Sequence, residues 1–259
     1  MNTVLALANL VVKELYRRKD FYVLLFLLVV LAAMMMFVNF FNDPNIVRYL
    51  KEICLLFIWV SALIIAITTT ARQIPVEREQ RTIFPLLAKP VTRAHVIVGK
   101  FLGCWFAVGL ALAAFYLFFF VVSGSRDGNW PVLTYFQAFW LQWAMLAIVI
   151  SLVVFGSIVF SAPSANITIC FVVVLGILLL GGYLNQAAVR LEEPRRTIIQ
   201  TIYFLIPHLE WFDVRDFIVY GRQLVPWIDC VLATLYAITY SALLLFATWL
   251  VFRRKALTT

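Results

Sequence analysis

The sequence predicts an all-α, polytopic membrane protein. It has six transmembrane helices, an amphipathic interfacial helix ahead of them, and N- and C-termini that are both cytoplasmic. Three observations carry this. Of 259 residues, 64% are hydrophobic and 13% charged, against an apolar share of roughly 45–50% in soluble domains. The apolar residues gather into six runs, 21–41, 53–71, 101–123, 133–160, 165–187 and 230–252. Each is long enough, at ~1.5 Å per residue, to cross a hydrocarbon core of about 30 Å. The charges are also unevenly shared. Residues 1–20, residues 72–100 and Arg253–Lys255 carry thirteen basic and four acidic side chains, while the rest of the chain carries eight and nine. Basic residues concentrate in cytoplasmic segments, so these three belong on that side, and an even number of crossings returns the chain to it. The net charge of +8 is therefore an orientation signal and not a footprint for nucleic acid.

In residues 1–20 the positive charges Lys13, Arg17, Arg18 and Lys19 follow the apolar stretch, the reverse of a cleavable signal. Residues 3–16 read as an amphipathic helix lying in the interface, weakly supported by Glu14 and Arg18 four positions apart. Phe21, Tyr22, Trp130 and Trp227 fall at span edges, as an aromatic belt requires. The connections differ in kind. Residues 42–52 read as a short outer loop of balanced charge, and 123–131 as a turn-rich one around Gly124, Gly128 and Asn129. Residues 161–164 make a tight inner turn. The outer segment 188–229 is longer than a connection needs, and its apolar stretch Thr197–Leu209 is too short to span. It reads as one or two short helices lying at the outer interface or dipping into it. The chain has no internal repeat and forms one membrane domain over residues 1–259.

Residues 72–100 stand apart. Arg72, Arg78, Arg81, Lys89, Arg93 and Lys100 face Glu77 and Glu79 between two uncharged runs. Ions cost several kcal/mol in hydrocarbon, so the segment is a cytoplasmic loop. The positive-inside rule explains the charges but not Phe84, Leu86 and Leu87, bracketed by Pro85 and Pro90, each of which disfavours helix at the residue before it. The expected shape is a short helix over 76–83, a break, an apolar knuckle, and a new helix capped by Thr92. It suits docking in a partner's groove or lying on the membrane surface.

Glu77-Arg78-Glu79, Thr82, Leu86-Leu87, Lys89-Pro90-Val91-Thr92-Arg93 and Gly99-Lys100-Phe101-Leu102-Gly103 resemble the first cytoplasmic loop of ABC-2 type transporter permeases. The closest likeness is to the six-span branch that includes multicopper-enzyme-maturation-type permeases. Arg81, where the family often has Gly, and Pro85 depart from its pattern. The resemblance implies a single permease domain, a coupling helix that contacts a separate ABC ATPase present in two copies, and a second permease subunit forming a homodimer. On this reading Glu77, Arg78 and Glu79 make polar contacts with the ATPase, Leu86 and Leu87 enter its groove, and Thr82, Pro90 and Arg93 shape the turn. ATP and Mg belong to the partner ATPase, and this chain binds no cofactor. The expected location is a cell membrane, the bacterial inner membrane, with membrane lipid as the remaining partner.

Other chemistry finds little support. Gly99-Lys100 lacks the first Gly and the closing Ser or Thr of a phosphate-binding loop, so the chain does not hydrolyse ATP itself. Glu192-Glu193 with Arg195-Arg196 is similar to a membrane CAAX-protease motif, but the Arg is misplaced and the two histidines, His95 and His208, lie outside the spans. His208, Glu210 and Asp213 make a poor metal set unless folded around an ion, and read better as surface polar groups. Cys54, Cys104, Cys170 and Cys230 have no paired spacing and read as packing residues. Gly99 with Gly103, and Gly176 with Gly181-Gly182, offer small surfaces for helix contact. No Asp, Glu, Lys or Arg falls in the middle of a span, which argues against an ion-driven carrier and suits amphipathic or hydrophobic cargo. A membrane scaffold that recruits an ATPase without transporting, and an intramembrane hydrolase, are the alternatives.

Overall fold

The computed structural model describes residues 19–37, 44–79, 93–160, 162–190, 195–221 and 224–254, and among these there is no strand. Eight α-helices are described: α1 (Lys19–Phe37), α2 (Pro44–Glu79), α3 (Arg93–Asp127), α4 (Val132–Val159), α5 (Pro163–Arg190), α6 (Arg195–Leu205), α7 (Arg215–Val219) and α8 (Trp227–Arg254), with a 3₁₀ turn at Leu209–Phe212. Local chemistry sets several ends. Pro44 and Pro163 open α2 and α5, where the missing N–H costs nothing and the fixed φ is already helical. Gly128, at φ +65°, stops α3, and its N–H donates to the Gly124 carbonyl at 3.0 Å, a left-handed terminus that glycine adopts without strain.

Five helices are long and apolar enough to cross a membrane, over Arg48–Pro75, Ala94–Arg126, Val132–Val159, Pro163–Gly181 and Trp227–Arg254. They form a polytopic bundle centred on α4, which packs against α2, α3, α5 and α8. The sixth expected crossing corresponds to α1, whose 19 residues are about 28 Å long at ~1.5 Å per residue and whose apolar stretch is described over Phe21–Ala33. Phe21 stacks on Phe115 at 5.6 Å, and Phe115 lies about 33 Å along α3 from Arg93. α1 therefore begins beside the middle of the bundle. The interfacial helix expected over residues 1–20 falls almost wholly outside the described residues.

Two expectations are corrected. Residues 44–52, read as an outer loop, are the first turns of α2. The Arg48 guanidinium there lies 5.5 Å from the rings of both Tyr49 and Tyr220. At its other end α2 runs through Pro75 to Glu79, so the separate helix expected over 76–83 is instead, as far as Glu79, the continuation of the span. Proline inside a helix removes one hydrogen bond and bends the axis, and here it does not end the helix. α2 and α3, of 36 and 35 residues, are thus about 54 and 52 Å long and outreach the hydrocarbon core. Below, the end where α2 stops and α3 starts is the loop end, and the opposite one is the crown end.

Candidate functional site: the two ends of the bundle

Of the residues expected to meet an ATPase, Glu77, Arg78 and Glu79 lie on the last turn of α2, and Arg93 is the first residue of α3. Thr92, expected to cap this helix, lies outside the described residues. Thr82, Leu86, Leu87 and Pro90, with the expected break and apolar knuckle, lie outside the described residues. What the structure adds is the joint beneath them. Lys100 is 1% exposed, a fully buried cation, and its Nζ donates to Gln73 Oε1 at 3.0 Å. The pair ties α3 to α2 about two turns in from the loop end. Lys100, read from sequence as the edge of a loop, is inside α3 and within its apolar span. The interior is therefore not free of charge. Burying an ammonium is costly unless it is hydrogen-bonded, and the amide oxygen of Gln73 answers that need. The signal available in sequence was the registry of a lone Lys and a lone Gln on two helices joined by the same loop.

Higher in the bundle, Trp105 and Trp143 clasp α3 to α4. Their rings stack at 4.3 Å, and each indole N–H donates to the other residue's carbonyl, at 3.0 and 3.1 Å. Gly109 makes room for this, since a Cβ there would lie 2.4 Å from Trp143 Nε1.

At the crown end, residues 206–221 dip into the mouth of the bundle. Leu209, Phe212 and Val214 are buried with the main core. The Arg215 guanidinium lies 5.1 Å from the Trp59 ring, and Trp59 is about 16 Å inside the α2 span from Arg48. Backbone without helical hydrogen bonds is tolerated at such depth only where protein surrounds it. The three residues weighed as metal ligands are dispersed in role. Asp213 takes two hydrogen bonds from Arg215, at 2.7 and 2.6 Å. Glu210 packs beside Gly181. His208 is buried and pairs with the Tyr236 hydroxyl, at 3.1 Å from its backbone N–H and 3.2 Å from Nδ1. Among the described residues no group of three His, Cys, Asp or Glu side chains is placed to hold a metal ion. Burial disfavours the Arg215 charge, but the hydrogen bonds and charge of Asp213 outweigh it and push the guanidinium above its ordinary value. Burial lowers the His208 imidazole below its ordinary value, only partly offset by Glu210.

The protease-like motif gains nothing from this arrangement. Glu192 and Glu193 lie outside the described residues, and the two histidines sit at opposite ends, His95 in the first turn of α3 and His208 in the crown. What decides the family is the whole chain. A family model for ABC-2 family transporter proteins matches residues 5–255. The chain belongs to the ABC-2 transporter family. No curated relative matches it. The ABC-2 membership and the five spans make it a multi-pass membrane protein and a transport component rather than a catalytic enzyme.

Proposed function

We propose that this chain is the membrane-spanning permease subunit of an ABC exporter. It couples ATP hydrolysis in a separate ATPase subunit to movement of a substrate across a bacterial inner membrane, and it works as a homodimer with two ATPase copies. The observation that carries the reading is the family match over residues 5–255, which takes in α2, α3 and the segment between them. The geometry supports it in one respect. α2 and α3 are joined near the loop end by the hydrogen bond from Lys100 to Gln73. A push on the intervening residues is thereby delivered to two spans at once. In this mechanism Glu77, Arg78 and Glu79 make polar contacts with the ATPase, and Leu86 and Leu87 fill its groove. Thr82, Pro90 and Arg93 set the turn, and ATP and Mg stay in the partner.

The test is purification from native membranes in mild detergent, followed by mass spectrometry. A stoichiometric ATPase is expected with the natural chain and not with the Leu86→Asp, Leu87→Asp double variant, which should still insert in the membrane. An ATPase that accompanies both forms equally would refute docking through this apolar pair, and its absence from both would refute the permease reading.

A further inference from the structure

α8 packs against α4 and α3, and its Tyr236 meets His208 at the crown. Between the three helices runs a groove of about 310 Å³, floored by Trp105, Trp143 and Ala147 and walled by Ala237, Ala242 and Leu245. Small residues on α8 and α4 make it deep, and indoles make its floor broad. At Trp140 and Thr234, joined by a 3.0 Å hydrogen bond, it meets a second apolar groove of about 340 Å³ that continues to Trp227. From Thr234 to Leu245 the first groove is about 16 Å long, close to half of a ~30 Å hydrocarbon core. An empty volume of this size forfeits dispersion contacts along its whole lining, so bilayer hydrocarbon enters it.

The loop-end mouth of the groove is charged. Leu245, Trp249 and Arg253 succeed one another at intervals of four on one face of α8. The Arg253 guanidinium lies 5.7 Å from the Trp249 ring, and Arg253 and Arg254 are both exposed. The sole carboxylate of α8 is Asp229, at the opposite end. From Leu245 to Arg253 is about 12 Å, so a chain leaving the groove passes a tryptophan at the level where such rings bridge apolar and polar surroundings and reaches two cations. We propose that this groove is a binding site for one anionic phospholipid, with an acyl chain lying against Trp105 and Trp143 and the phosphate held by Arg253 and Arg254. The site is independent of ATPase docking.

Brominated acyl chains quench tryptophan only on contact, which makes the groove its own reporter. The full-length chain is reconstituted in phosphatidylcholine vesicles, and either brominated phosphatidylglycerol or brominated phosphatidylcholine is added in steps. The expected result is half-maximal quenching at a roughly tenfold lower mole fraction of the glycerol lipid, from two basic side chains near the surface. Arg253→Gln with Arg254→Gln, both exposed positions, should bring the two curves together. Ala242→Leu, which fills the groove, should abolish the early quenching phase with the arginines intact. Coincident curves for the natural chain would overturn the proposal. So would a preference that survives the arginine change, or a groove shielded from both lipids by a second copy of the chain, detected as cross-linking through Ala242→Cys.

Discussion

Replacing Gln73 by leucine removes the oxygen that Lys100 Nζ is hydrogen-bonded to, while keeping the apolar volume. A hydrogen bond to a charged group contributes about 1.5–3 kcal/mol. Lys100 is 1% exposed, so it cannot turn to water without unpacking α2 from α3. A loss of about 2–3 kcal/mol follows. At about 2–4 °C per kcal/mol for a chain of this size, that is a fall of roughly 4–12 °C in Tm, measured by fluorescence-detected size exclusion after heating in detergent. Lys100→Met removes the charge but leaves the Gln73 amide buried without this hydrogen bond, whereas replacing both partners by apolar groups of similar shape is often close to neutral. The reasoning therefore demands an order: Gln73→Leu the least stable, Lys100→Met intermediate, and the double variant closest to the natural chain. Equal losses for both single variants, or no loss for Gln73→Leu, would refute it.

Gly109→Ala puts a methyl where Trp143 Nε1 stands and should part the paired indoles. Overpacking of this sort costs about 1–3 kcal/mol, with a shift in tryptophan emission as the direct readout. The crown should loosen in acid. Because burial depresses the His208 pKa below its ordinary ~6.5, the unfolded segment takes up a proton that the packed one refuses. The stability from neutral His208 is then complete above about pH 6.5 and is lost as pH falls below it towards the depressed folded value. Protection from hydrogen exchange across residues 206–219, taken relative to the intrinsic base-catalysed rate at each pH, should be lower at pH 5.5 than at 7.5, and His208→Gln should flatten that difference.

Much of the fold was legible because spans are long and uniformly apolar, a signal that no tertiary context overrides. The apolar stretch before Pro207 was readable for a local reason, since it is too short to cross, and it forms the short helix α6. Where the reading failed, charge was the misleading cue. Arg48, Lys51 and Glu52 suggested a loop, but these residues continue α2, and Arg48 finds aromatic rings there. Lys100 suggested a boundary, but the side chain is paired inward. The same cue located residues 72–100 and could not reveal that Gln73 supports them, because an uncharged amide in an apolar helix leaves no periodicity to detect.

The length of α2 carries one more consequence. The crown is attached to it twice, by Arg48 against Tyr220 and by Arg215 against Trp59, while Gln73 anchors its other end to α3. A rod of about 54 Å pivoting near Gln73 is a lever with nearly all of its length on one side. A tilt of only about 5° at that fulcrum sweeps the far tip through roughly 4 Å, more than a hydrogen bond's reach. Small strokes at one face of the membrane are in this way magnified into rearrangement at the other, with no hinge required along the arm.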